Sequence, residues 1–213
     1  METIRNYSDL IKQIPVYCQS TIVKKSVWGR FSIDDEIKEA IFGSNEKVEI
    51  SRSDVFSERD TAKKIVMTLM WGYPTGGRGE NIKNILLNIN KLVEILSSEK
   101  DKNITEKEAR KLFTKLKKIP GLGISTWTKF LYFFNVSIDS KTCQIYDLKI
   151  VDSLNKKQIS ELGLQEWKQN NRCYFDYIAL VNNLATTMSV LPEQVEVFLF
   201  YFNLYYIFPV KSE

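Results

Sequence analysis

Apolar residues recur every three or four positions along most of the chain, the spacing typical of amphipathic helices. The clearest stripe runs from Glu80 to Leu96, where seven aliphatic residues share one helical face. Similar stripes predict helices over Asp60–Trp71 and from Thr105 to Leu116, the latter opened by a capping box. Two later stretches, 174–188 and 192–202, carry aromatic and aliphatic residues at the same spacing.

Evidence for strands is slight by comparison. Only Lys47–Ile50 alternates in polarity, and residues 1–30 show no clear pattern, while Ser32–Phe42 resembles a short helix capped by Ser32 or Asp34. We therefore predict a mainly α protein of two helical lobes with a pocket between them. Residues 79–140 would form one lobe, and 1–78 together with 141–213 the second.

A hairpin interrupts the helical pattern after Lys118, where Ile-Pro-Gly-Leu-Gly is followed at once by a new apolar segment. Glycine at positions 121 and 123 permits positive φ angles and close approach of a ligand. The amides of Leu122, Gly123 and Ile124 would be unpaired at the start of the second helix, where the helix dipole favours an anion. A phosphate is the expected ligand.

The helix after the hairpin, 124–134, places Ser125 and Lys129 four residues apart and hence on one face. About ten helical residues lead away, and roughly five extended ones return. Asp139 can therefore reach the level of the first turns of this helix, where a lysine and a carboxylate would share a pocket. Asp139-Ser140 would also cap a following helix over 141–154.

A second glycine-rich segment, Pro74-Thr75-Gly76-Gly77-Arg78-Gly79, follows the helix that ends near Trp71. Its backbone can approach a partner closely while the guanidinium of Arg78 reaches outward. The alternative is an ordinary connection between two helices.

The net charge of +4 is unevenly distributed. Between Lys100 and Lys118 there are eight basic residues and three acidic ones. Lys107, Lys111, Lys115 and Lys118 follow one helical face towards the hairpin, a pattern that favours contact with nucleic acid phosphates. A solvated helix face is the alternative.

Several classes of function are disfavoured by composition. The chain has no histidine, which excludes histidine acid–base chemistry and histidine metal ligation. Its longest apolar run, Val197–Phe208, is too short to span a bilayer, and the N-terminus lacks the pattern of a secretory signal. Three distant cysteines indicate reduced core thiols. We expect an intracellular, cytoplasmic protein.

Ile119-Pro120-Gly121-Leu122-Gly123, followed by a helix and a return to Asp139, resembles the signature of the helix-hairpin-helix DNA glycosylase superfamily. Other segments resemble bacterial proteins with an 8-oxoguanine glycosylase-like fold, and the resemblance covers most of residues 55–202. These segments are Thr128–Phe133, the loop 71–79 and the closing helix at Pro192–Glu196.

This resemblance implies removal of a damaged or modified base, which must be flipped out of the duplex to be reached. Asp139 would stabilise the positive charge on the sugar or deprotonate the nucleophile. In members that also nick the strand, a lysine forms a Schiff base, and its usual position is Ser125 in this chain. Lys129, one turn further on, is our candidate nucleophile, with Ser125 as a weaker catalytic candidate. Water as nucleophile, or a lysine that only holds phosphate, is the alternative.

The resemblance also implies lesion-bearing double-stranded DNA as partner and 8-oxoguanine as the default base. A monovalent cation can be accommodated at the hairpin carbonyls, and no other cofactor or metal is expected. The expected DNA contacts are Gly121, Leu122, Gly123, Ile124, Lys118, Arg78 and Gly77. One aromatic residue, Trp71, Tyr73 or Trp127, would stack on the flipped base.

Two other classes of function fit parts of the pattern. A non-catalytic hairpin protein of a repair or defence complex would show the same charge and the same salt-dependent binding, without a lysine and an aspartate converging on a cavity. A helical RNA-binding or RNA-modifying protein would depend on single strands and aromatic stacking.

Overall fold

A computed structural model of the protein describes residues 3–156, 159–162 and 165–205, except the side chains of 203–205. The described chain is mainly α-helical, as predicted. Its helices are α1 (Ser8–Lys12), α2 (Lys25–Trp28), α3 (Asp35–Phe42), α4 (Arg52–Ser57), α5 (Thr61–Gly72), α6 (Asn81–Leu87), α7 (Ile89–Glu99), α8 (Glu106–Leu116), α9 (Ile124–Phe133), α10 (Leu148–Asn155), α11 (Asn171–Met188) and α12 (Pro192–Tyr205).

Polar caps fix the starts of several helices where the sequence placed them. Asp34 accepts hydrogen bonds from two amides of α3, and Asp60 accepts one from the Lys63 amide of α5. Thr105 and Glu108 form the predicted capping box at the start of α8. Because these caps pair amides that a helix leaves without intrahelical acceptors, they define where each helix begins.

Among the residues that the structure describes, five short strands form two small sheets. The strands β1 (Ser20–Lys24) and β2 (Lys47–Ser51) pair antiparallel, with Ser20 opposite Ser51. In the second sheet, β4 (Ser137–Ile138) lies between β3 (Asn103–Ile104) and β5 (Lys141–Thr142). It runs parallel to β3 and antiparallel to β5.

Two predicted helices and the prediction about the cysteines need correction. The single helix predicted over Glu80–Leu96 is two helices that meet at Asn88, whose side-chain amide donates to the Asn84 carbonyl at 2.9 Å. Such bonds offer the backbone an alternative to the helix. The helix predicted over 141–154 begins only at Leu148, capped by Asp147. The cysteine prediction fails for Cys18, which is exposed, while the other two cysteines are buried.

The chain forms two compact units. One contains Tyr17–Cys143, and the other contains Met1–Val16 with Gln144–Glu213. The bounds of these units differ from those of the two lobes expected from the sequence. The lobe boundaries at 79 and 140 stay predictions, and so does the pocket between the lobes.

Each unit has its own apolar core. In the Tyr17–Cys143 unit, Trp127 lies on the ring of Phe113 with a centroid distance of 4.1 Å. In the other unit, the rings of three buried tyrosines, Tyr146, Tyr174 and Tyr177, pack together. The ring centroids of Tyr146 and Tyr177 are 4.8 Å apart. No helix within the described ranges has the length and apolar character needed to cross a membrane. The end of the apolar run Val197–Phe208 lies outside the described residues.

Candidate functional site

The hairpin between α8 and α9 occupies residues 117–123. Gly121 has a φ of 80°, and a methyl group placed on it would lie 2.6 Å from the Asn81 carbonyl oxygen. This glycine therefore lets the hairpin lie directly against the start of α6. Gly123 has a φ of −83°, so of the two glycines only Gly121 uses the positive φ that glycine permits.

The hairpin amides are only partly available to a ligand. The Leu122 amide donates to the Ile119 carbonyl and the Gly123 amide to the Gly121 carbonyl, each at 3.2 Å. The prediction of three unpaired amides is therefore wrong for these two. Ile124 is the first residue of α9, and helix geometry gives its amide no intrahelical acceptor. An anion would find its donors there, at the positive end of the helix dipole.

Lys129 lies in the second turn of α9 and is only 4% exposed. Its ammonium group donates to both the carbonyl oxygen and the hydroxyl of Ser125, each at 3.0 Å. Helical side chains lean towards the N-terminus of their helix, so this lysine reaches back by one turn. The structure thus brings together the two residues that the sequence placed on one face.

The end of α5 supplies the other side of this lysine. A methyl group on Gly72 would lie 2.9 Å from Cδ and 3.0 Å from Cε of Lys129, so the stem of the lysine passes over this glycine. The ring of Tyr73 has its centroid 5.4 Å from Nζ, a distance that permits a cation–π interaction. The Tyr73 hydroxyl lies 2.7 Å from that of Thr126. We call Gly72, Tyr73, Ser125, Thr126 and Lys129 the lysine cluster.

The sequence indicated only part of the lysine cluster. Tyr73 is one of the predicted base-stacking candidates, whereas no sequence pattern points to Gly72. Of the other aromatic candidates, Trp127 is 1% exposed within the core. Trp71 packs edge-on against Phe133 and donates from its ring nitrogen to the Gln19 carbonyl at 3.2 Å.

Asp139 is exposed in the turn between β4 and β5. Both Asp139 and Ser140 have positive φ, 47° and 63°, as in a two-residue type I′ hairpin. The Asp139-Ser140 pair therefore closes a β-hairpin, and the prediction that it caps a helix is wrong. The Asp139 amide donates to the Ile104 carbonyl at 2.9 Å, and the Ser140 amide to the Asn103 side chain at 2.8 Å.

These bonds place Asp139 beside the start of α8, whereas the hairpin follows the end of α8. Eleven helical residues give α8 a length of about 16 Å. Asp139 therefore lies beside the start of α8, whereas Lys129 lies near the hairpin that follows its end. That the two side chains share one pocket stays a prediction. Among the described hydrogen bonds and ion pairs, the carboxylate of Asp139 takes part in none.

The lysine stripe on α8 is exposed along its whole length, from Lys107 to Lys118. Beside it lies an open hollow of about 290 Å³ that neither Lys129 nor Asp139 lines. Its lining carries three lysines and two glutamates. These residues, with the rest of the lining, are Glu99, Lys102, Asn103, Ile104, Glu108, Lys111, Leu112 and Lys115.

The glycine-rich segment 74–79 forms a connection with positive φ at all three of its glycines. Gly77 packs closely, since a methyl group there would lie 2.9 Å from Cγ1 of Ile82. Arg78 is exposed, and no atom lies within 4 Å of a methyl group placed on Gly79. The backbone around Arg78 is thus open to a partner.

Comparison with known families gives a match that covers most of the chain. The model of the family described as "Putative 8-oxoguanine DNA glycosylase OGG-like protein" matches residues 15–200. This range includes the hairpin, the lysine cluster, Asp139 and the glycine-rich segment. No curated protein and no solved structure matches the chain.

Proposed function

The chain belongs to the 8-oxoguanine DNA glycosylase OGG-like family, and on that premise we propose that it excises a damaged or modified base from double-stranded DNA, with 8-oxoguanine as the first candidate. Lys129 would attack the sugar carbon that carries the base. The resulting Schiff base would then lead to strand nicking.

The observation that carries this proposal is the position of the Lys129 ammonium group. Its hydrogen bonds to Ser125 hold it at the first turn of α9, next to the hairpin that would grip the DNA backbone. In the strand-nicking glycosylases that this chain resembles, the attacking lysine stands at the position that Ser125 occupies here. A lysine from one turn deeper therefore delivers its amine to the same end of the helix. Such an amine attacks the sugar as the free base, with its nitrogen lone pair directed at the carbon.

DNA would be held through its phosphates. The cationic donors are the exposed lysines of α8, Lys118 of the hairpin and Arg78, and the Ile124 amide adds an N–H donor. All of them belong to one compact unit. The hairpin from Gly121 to Ile124 would contact one phosphate directly, and a monovalent cation at its carbonyls belongs to the same proposal.

Asp139 is the proposed carboxylate that stabilises the positive sugar as the base departs. Its exposed carboxylate is available to a ligand. Its hairpin turn beside Ile104, however, favours a second candidate function, a non-catalytic DNA-binding protein, because excision by this pair requires both groups at one sugar.

A panel of duplexes with single lesions, scored with and without alkali, tests these alternatives. Wild-type protein is expected to release a base and to form a covalent adduct that borohydride traps. Lys129→Gln should lower trapping and nicking by at least about 100-fold. The matched control is Lys91→Gln, an exposed lysine on α7. A wild-type protein that releases a base but never traps would exclude the lysine nucleophile.

The carboxylate is tested separately with Asp139→Asn. Asparagine tolerates positive φ well, so the hairpin turn should persist. We expect base release to fall about 100-fold at unchanged DNA affinity. Unchanged release would remove Asp139 from the mechanism, and a protein that binds every duplex without releasing any base would be the non-catalytic alternative.

A further inference from the structure

We propose that Arg30 binds a DNA phosphate, held in place by the glycine-rich segment 74–79, and that Arg30, Arg78 and the hairpin form one continuous surface for the DNA backbone. This inference rests on the proposed function, because it takes double-stranded DNA as the partner. It adds a residue from a stretch, 1–30, in which the sequence showed no pattern.

Arg30 lies directly on the glycine-rich segment. A methyl group placed on Gly76 would be 2.4 Å from Nη2 of Arg30, a distance that no side chain could tolerate without moving the guanidinium. Gly76 also has a φ of 83°. The positive φ favours glycine at this position, and the absence of a side chain lets the guanidinium lie directly on the backbone. On the same side, the carbonyl oxygen of Thr75 accepts a long hydrogen bond of 3.5 Å from Nη2.

The guanidinium also has an aromatic support. Its central carbon lies 4.8 Å from the centroid of the Phe31 ring. Phe31 and Trp28 are themselves buried, and the Trp28 ring nitrogen donates to the Pro74 carbonyl at 3.3 Å. Arg30 is therefore fixed between two elements anchored in the core. A cation ordered in advance loses less conformational freedom when it binds.

Most of the hydrogen-bonding capacity of Arg30 is unused. A guanidinium carries five N–H donors, and within the described chain Arg30 makes the one long bond to Thr75 and no ion pair. The residue is exposed. A planar cation with free parallel donors fits a phosphate, which it can bind through two oxygens at once.

The same segment connects Arg30 to the hairpin. It ends at Gly79, two residues before Asn81, and Gly121 packs against the backbone of Asn81. Arg30, segment 74–79, Asn81 and the hairpin are thus joined by successive contacts and chain connections within the Tyr17–Cys143 unit. The exposed groups along this path are Arg30, Arg78, the backbone at Gly79, and Lys117 and Lys118 of the hairpin.

The test measures affinity of the intact protein for a lesion duplex at several salt concentrations. Arg30→Gln should weaken binding on the order of tenfold at low salt and lower the log–log salt slope by about 0.9. Arg30→Lys should keep the slope but lose part of the affinity, because the fork is absent. The control is Arg59→Gln, an exposed arginine before α5, which should leave both unchanged.

Phosphate contact is distinguished from base contact by duplexes in which single phosphates are replaced by neutral methylphosphonates. One position should weaken wild-type binding while leaving Arg30→Gln unaffected. If no position behaves in this way, or if Arg30→Gln matches Arg59→Gln, the inference about Arg30 is overturned while the proposed function stands. If the wild-type protein does not bind the duplex at all, the proposed function itself fails.

Discussion

The ammonium group of Lys129 lies about one helical turn, or roughly 5 Å, closer to the hairpin than the Cα of the same residue. The residue number therefore understates how near the amine is to the start of α9. The sequence spacing correctly paired Lys129 with Ser125, because residues four apart share a face. It could not reveal Gly72 or Tyr73, which reach the lysine through packing of α5 against α9.

At the residue scale, Gly72→Ala tests whether the lysine must pass over this glycine. The added methyl group would lie about 3 Å from two carbons of the lysine stem and should displace the amine. We expect nicking and borohydride trapping to fall at least about tenfold, because small misplacements of reacting groups cost large factors in rate. Single-turnover assays at saturating protein would measure the effect.

The same variant carries an internal control. Alanine is favoured over glycine in helices by roughly 0.5–1 kcal/mol, so the variant should lose little stability. Affinity for DNA should also stay constant. Trapping at the wild-type rate would show that the position of the lysine does not depend on Gly72.

At the scale of elements, the two hairpin glycines are predicted to differ. In Gly121→Ala, the methyl group would meet the backbone of Asn81 at a positive φ, and unfolding free energy should fall by more than about 2 kcal/mol. Gly123→Ala has a negative φ and open space, so its loss should stay below about 1 kcal/mol: alanine is the poorer N-cap but restricts the unfolded chain.

Denaturant unfolding of both variants would measure this difference. Both variants replace a glycine by alanine, at positions two residues apart, so they change the composition of the chain identically. Equal losses would show that contact between the hairpin and α6 does not require Gly121.

The helices were largely predictable because their signals are local. Caps at Asp60 and Thr105 and the apolar stripes gave α5 and α8 nearly to the residue. The second sheet was not predictable, since β3 and β4 are more than thirty residues apart in the chain and each pairs over two residues. That pairing, which no local pattern indicates, fixes where Asp139 lies relative to the start of α8.

The glycine-rich segment shows the same limit for the candidate site. Three glycines around Arg78 predicted an unusual loop, and the loop does have three positive φ angles. Gly76 lies against Arg30, forty-six residues earlier, and no local pattern connects the two.

At the scale of the whole molecule, the free energy of unfolding should decrease at alkaline pH because of Tyr146. Burial, with smaller contributions from Cys173 and Asp176, raises the pKa of this phenol above its ordinary value. Its hydroxyl donates to the Lys168 carbonyl at 3.0 Å. A raised pKa stabilises the folded state below the unfolded pKa of about 10, and the contribution is lost as pH rises beyond it.

Tyr146→Phe keeps the ring and removes the ionisable group. At pH 7.5 the wild type should be more stable by about 1 kcal/mol, the value of one hydrogen bond. At pH 11 this advantage should shrink by about 1 kcal/mol, because the unfolded phenol ionises first. Urea unfolding at both pH values checks the prediction, and a difference that does not change with pH would contradict it.

One compact unit joins the two ends of the described chain, and this has a consequence on the ribosome. The Ile4 amide donates to Glu161 at 3.2 Å, and the Tyr7 ring lies 5.3 Å from that of Phe198. Synthesis proceeds at about 5–20 residues per second, so the first segment waits on the order of ten seconds for those partners. The unit that carries the hairpin is complete at Cys143 and can therefore fold first, before residues 144–213 of its neighbour have been translated.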